Sequence, residues 1–141
     1  MNYSDGNERL SASLAGQQQL WSNPYVEVTG RAAIYYAQNS QPDVGPYFSP
    51  KWVGSGTGGL TISHIAWRHY EKSFTHALNA EFGIQDQRGF STDWIGSLRY
   101  EHRWRRDPWT EIYYSFQIDR RVYDGEPERG IGVRLGLKQR F

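Results

Sequence analysis

The chain has no cysteine, which excludes a disulfide framework and any thiolate metal centre. It has no apolar run of about 18 residues, and its mean hydropathy is -0.76, so membrane-spanning helices are excluded. Its formal net charge is only +1 over 141 residues. That argues against nucleic acid as the main partner. The opening residues Met1-Asn2-Tyr3-Ser4-Asp5-Gly6-Asn7 offer neither a basic start nor an apolar core, so they do not form a signal peptide. None of these absences excludes a transmembrane β-barrel, in which only alternate strand residues need be apolar.

Aromatic residues are abundant: six Trp, ten Tyr and six Phe. Such a supply suits interfacial girdles or a sugar-binding surface. The last twelve residues are the most informative. Ile131, Val133, Leu135, Leu137 and Phe141 share one parity, and Gly132, Arg134, Gly136, Lys138 and Arg140 share the other. Side chains alternate across a strand, so this segment presents one greasy face and one charged or empty face. A strand of this kind suits a barrel with lipid outside and water within.

The same period of two marks strands near 129–141, 109–122, 92–104, 74–86, 58–70, 25–38 and 8–20. Trp94, Leu98, Tyr100 and Trp104 oppose Arg99, Glu101 and Arg103. Ile112, Tyr114, Phe116 and Ile118 oppose Glu111, Ser115 and Asp119. Phe82 and Ile84 oppose Glu81 and Gln85, and Val28 and Ile34 oppose Glu27 and Arg31. The weakest pattern is 58–70, where Ile65 and Trp67 break step. The fold class read from this is all-β: an antiparallel meander of about seven strands, the C-terminal part of an outer-membrane barrel. Trp94 and Trp104 share a face ten residues apart. In a strand tilted by about 40° they stand roughly 25 Å apart along the membrane normal, the height of the apolar band between girdles.

The links support that topology. Residues 21–24, 71–73 and 105–108 read as tight turns, with Pro and Asn supplying turn geometry. Residues 39–57, 87–91 and 123–128 read as longer loops, and the glycine-rich run 54–59 reads as a flexible loop running into a strand. Strict alternation of short and long fits periplasmic turns and extracellular loops. Barrels of this class need about eight strands or more, and an open sheet would leave unsatisfied backbone groups in lipid. Either strands are missing upstream or copies assemble; missing upstream strands, together with the export signal, are the expectation.

On this parity the expected pore-lining residues are Glu27, Arg31, Glu81, Arg99, Glu101, Glu111, Tyr113, Asp119 and Arg134, with Arg103, Arg121, Lys138 and Arg140 on the same side. Acids and bases alternate between neighbouring strands and can pair across the wall. Tyr35, Trp67 and Trp109 could join Tyr113 there, giving flat faces against which sugar rings slide. The expected lipid-facing and girdle residues are Trp94, Trp104, Tyr114, Phe116, Leu135 and Phe141. His64, His69, His76 and His102 lack metal-ligand spacing and read as interfacial or loop residues. No metal or cofactor is called for. Catalysis would need paired carboxylates in a cleft, for which Glu81 and Glu101 are the available pair. An enzyme is not expected.

Four segments carry a family resemblance: Tyr47-Phe48-Ser49-Pro50-Lys51, Tyr100-Glu101-His102-Arg103-Trp104, Arg120-Arg121-Val122-Tyr123-Asp124-Gly125-Glu126, and the closing strand to Phe141. They resemble the outer-membrane export porins for poly-β-1,6-N-acetyl-D-glucosamine, the biofilm polysaccharide. The Tyr-Phe-Ser-Pro run is also similar to cellulose exporters, and the terminal Phe to the C-terminal signal of outer-membrane proteins. The resemblance implies a barrel of about 16 strands behind a periplasmic helical-repeat domain. It also implies a partly deacetylated polymer as cargo, outer-membrane lipid as surroundings, and the barrel assembly machinery as a partner through the strand ending at Phe141. The family pore is electronegative, whereas this segment carries nearly as many pore-side bases as acids. The competing readings are a cellulose-type exporter, a general diffusion porin or adhesion barrel, and a soluble carbohydrate-binding β-domain.

Overall fold

The computed structural model describes residues 8–41 and 50–140. Seven strands follow one another: β1 (Arg9–Ser22), β2 (Val26–Asn39), β3 (Trp52–His69), β4 (Lys72–Gln87), β5 (Asp93–Arg105), β6 (Thr110–Tyr123) and β7 (Glu126–Gln139). They form one sheet in sequence order, every neighbouring pair antiparallel. At 13–18 residues each, they exceed the 9–11 residues or so that a tilted strand needs to cross a bilayer.

Two connections differ from the sequence reading. β3 begins at Trp52, so the run Gly54-Ser55-Gly56-Thr57-Gly58-Gly59 is strand rather than loop. Its residues pair with Tyr36 to Arg31 on one side and Asp86 to Glu81 on the other; two formed neighbours hold backbone that glycine alone would leave loose. The last link is also shorter than expected. Tyr123 pairs with Glu126, leaving Asp124 and Gly125, both at positive φ (49° and 77°). This is a two-residue hairpin turn of the Asp-Gly kind. The alternation of short and long links therefore fails at β6–β7.

The broken step at Ile65 and Trp67 has a local cause. Ile65 pairs with Thr75 and Trp67 with Phe74, the register shifting between them. Ala66 is the extra residue of a β-bulge, which resets the parity of the strand. A second shift, between Gln19 and Trp21, does the same near the end of β1.

Little of the sheet is a core. Among the described residues only Ala37, Val53 and Val122 are buried apolar side chains. The apolar face is the exposed one, with Phe82 at 62% and Leu135 at 77%, whereas the Glu101 side chain on the polar face is 17% exposed. Curvature explains the inversion. On the polar face Arg31 of β2 reaches Glu81 of β4, and Gln85 of β4 donates to the Val122 carbonyl of β6. Side chains two strands apart meet only on a concave surface, so the polar face is concave and the apolar face convex.

Candidate functional site

Much of the charge on the concave wall is paired. Arg31 Nε lies 3.2 Å from Glu81 Oε2, and the two sit either side of Gly59 in the ladder. A Cβ on Gly59 would come within 2.7 Å of the Ala80 carbonyl oxygen and 3.0 Å of Arg31 Nε, so the missing side chain opens the lane for the pair. Glu101 receives Arg103 at 2.8 Å and Arg99 at 3.9 Å. Glu111 receives Arg103 and Arg105, each at 3.5 Å. Arg121 Nε lies 3.0 Å from Asp119. The expected pairing across the wall is thus present, though much of it runs along one strand rather than between strands. Glu81 stands opposite Ser97, and Glu101 opposite Ala77, so the two carboxylates do not face each other. Each is held by arginine instead.

Tyrosines interrupt the charge. Arg9 donates to the Tyr35 hydroxyl at 2.9 Å. The Tyr113 ring lies against Gly136, in the space its Cβ would need. A groove of about 400 Å³ runs along this wall, lined in part by Tyr35, Glu81, Gln117, Asp119, Arg121 and Tyr123. Glu27 and Arg134 share the concave parity, opposite Ser63 and Ser115 respectively.

Two aromatic placements differ from expectation. Trp67 lies on the convex face, because the Ala66 bulge swings it across with its partner Phe74. Trp109 sits in the turn before β6, beside Glu111, Lys138 and Arg140, not on a strand. Trp94, Trp104, Tyr114, Phe116 and Leu135 share the convex face, with Trp94 and Trp104 near opposite ends of β5. Phe141 lies outside the described residues, as do Tyr47, Phe48 and Ser49.

Sequence reasoning missed one grouping. His64, His76 and His102 are successive ladder partners on β3, β4 and β5. His64 Nδ1 and His76 Nε2 share a hydrogen bond at 2.7 Å. His76 shares another with the Tyr100 hydroxyl at 3.0 Å. That hydroxyl also meets His102 Nε2 at 2.5 Å, and His102 contacts the Tyr114 hydroxyl. On the apolar face these polar groups satisfy one another, as groups near hydrocarbon must. Among the described residues no cluster of three or more His, Asp or Glu is arranged to hold a metal ion.

Comparison with known proteins identifies the sheet. Residues 1–141 match the family model of the PgaA membrane beta barrel domain. The chain belongs to this family. It is 31% identical over 140 residues to the poly-beta-1,6-N-acetyl-D-glucosamine export protein of Escherichia coli strain K12. The same figure holds for the protein of that description from Escherichia coli O157:H7. The match covers 99% of this chain and 17% of the relative, so the chain spans about a sixth of the curated relatives it matches. A solved structure described as a bacterial polysaccharide outer membrane secretin superposes with a TM-score of 0.90 and 32% identity, over 98% of this chain and 47% of that one. The sheet is accordingly a membrane β-barrel wall of the bacterial outer membrane.

Proposed function

We propose that this wall forms part of the export channel for poly-β-1,6-N-acetyl-D-glucosamine, within a longer protein whose other strands close the barrel. The similarity to the Escherichia coli export proteins along the whole chain supports the reading. So does the concave face, where Tyr35 and Tyr113 alternate with arginine-bound carboxylates. Glu27, Arg31, Glu81, Arg99, Glu101, Glu111, Tyr113, Asp119 and Arg134 line the polymer path in this proposal. Hexosamine rings stack weakly on the tyrosines while hydroxyl and amide groups exchange hydrogen bonds with the paired charges. Glu81, Glu101, Glu111 and Asp119 are each held by arginine, which suits a conduit better than general acid–base chemistry. The periplasmic helical-repeat domain and the barrel assembly machinery, the latter through the strand ending at Phe141, complete the proposed set of partners.

Deleting the full gene is expected to trap polymer in the periplasm, and the intact gene to restore secretion. Restoration with Tyr35→Ala and Tyr113→Ala together should return less polymer at equal protein level. Unchanged polymer secretion in the deletion strain, with altered uptake of small sugars, would mark a diffusion porin instead.

A further inference from the structure

The convex face carries one basic feature that its lipid-facing role leaves unexplained. Arg120 of β6 and Arg129 of β7 are direct ladder partners. Their face is fixed by their neighbours. A Cβ on Gly130 would run into the Asp119 carboxylate on the concave side, so Arg129, one residue earlier, projects outward. The apolar pair Ile118 and Ile131 follows on that same outward face. Like charges directly opposite each other on a ladder are destabilising, the more so beside an apolar band.

Only one of the two charges is compensated. Arg120 NH2 lies 2.6 Å from Asp93, NH1 donates to the Trp94 carbonyl, and its guanidinium sits 4.2 Å over the Trp94 ring. Arg120 thereby fills the place where the β5–β6 ladder stops, at Gly96. Arg129 is exposed and forms no ion pair with a described residue. Below the two lies an apolar groove of about 440 Å³, lined by Phe82, Trp94, Leu98, Ile118 and Ile131. Phe82 and Trp94 stack at 6.0 Å along its side.

The height of this feature follows from the chain. Arg129 is the fourth residue of β7, directly after the hairpin. That hairpin shares an end with the link over residues 40–51, the long one, and long links face outward in outer-membrane barrels. The arginines therefore stand at the outer aromatic girdle, where long cationic side chains reach the headgroup layer.

The geometry points to a binding site for the phosphate of an outer-leaflet lipid, held between Arg120 and Arg129 with an acyl chain in the groove against Trp94, Leu98 and Ile131. Guanidinium groups bind phosphate through paired, charge-assisted hydrogen bonds. A bound phosphate removes the repulsion that the ladder imposes, and the groove continues the lipid-facing surface on which the acyl chain already lies.

The test uses the full-length protein in neutral detergent, with native mass spectrometry counting retained lipid. Bis-phosphorylated lipid A should bind about tenfold more tightly than its fully dephosphorylated form. Arg129→Gln should remove most of that difference, and Arg129→Lys should keep part of it. Arg134→Gln, on the concave face, should leave it unchanged. Heat-modifiable mobility in gels verifies that each variant is a folded barrel. Equal binding of the two lipids, or an Arg129→Gln barrel that folds and still discriminates between them, overturns the proposal. Full competition by millimolar inorganic phosphate overturns it too, by marking a site for a free anion. Polymer export enters none of these readouts, so the site stands or falls separately from the conduit.

Discussion

Arg31 and Glu81 lie on strands that are not neighbours, yet their side chains meet at 3.2 Å because Gly59 stands between them without a side chain. The pair is more than a third exposed on the arginine side, so on its own it contributes roughly 0.2–1 kcal/mol. The glycine matters more. Gly59→Val should destabilise the full-length barrel by about 1–3 kcal/mol through overpacking, whereas Arg31→Ala should cost less. Urea unfolding followed by gel mobility ranks the two. The reverse order would mean that the pair, not the space, holds this wall.

Parity makes a second prediction. Leu135→Arg places a charge on the convex face and should harm the barrel by about 2–4 kcal/mol if it lies near the midplane. Arg134→Ala, one residue away on the concave face, should be tolerated. Equal losses in refolding yield would reject the assignment of faces.

Such parity was legible because a strand's period of two is written in consecutive residues. Ile112, Tyr114, Phe116 and Ile118 needed no partner to declare their face. Features that depend on register were not legible. The Ala66 bulge appeared only as a broken pattern at Ile65 and Trp67, which placed Trp67 in the lumen. The row from His64 through His76 to His102 joins residues whose adjacency exists only once three strands pair. The glycines of β3 looked like a loop because glycine is depleted in strands, and only flanking strands override that preference. The Asp124-Gly125 turn is written plainly as a hairpin dipeptide, but the polar residues flanking it make the stretch 123–128 resemble a longer loop.

The bulge gives a third prediction. Deleting Ala66 should remove the extra residue and leave Trp67 directly after Ile65, still opposite Phe74 on the convex face. In bilayers of brominated lipid, quenching of Trp67 in an otherwise Trp-depleted background should persist both on deletion and in Ala66→Gly. Loss of quenching on deletion would show that pairing with Phe74 does not set the face.

The turn before β6 gives a pH dependence. The Asp107 carboxylate accepts the backbone N–H of Trp109 at 2.9 Å and of Thr110 at 2.8 Å. The Trp109 N–H is the chief cause holding its pKa below the usual carboxylate value. A depressed carboxylate pKa stabilises the fold above the ordinary carboxylate range. That contribution is lost as pH falls through the lowered value. Asp107→Ala should therefore narrow the stability gap between neutral and strongly acidic pH. Unfolding midpoints of wild type and variant across that range test this, and parallel curves would leave Asp107 without a role in the turn.

The arginine-bound carboxylates bear on how a sugar chain would travel past them. A stretch of wall whose carboxylates at Glu81, Glu101, Glu111 and Asp119 are already held by arginine would offer a passing hexosamine only short-lived, shallow holds there. In the proposed conduit, friction along this stretch would come from tyrosine faces and water exchange, leaving strong capture to other regions.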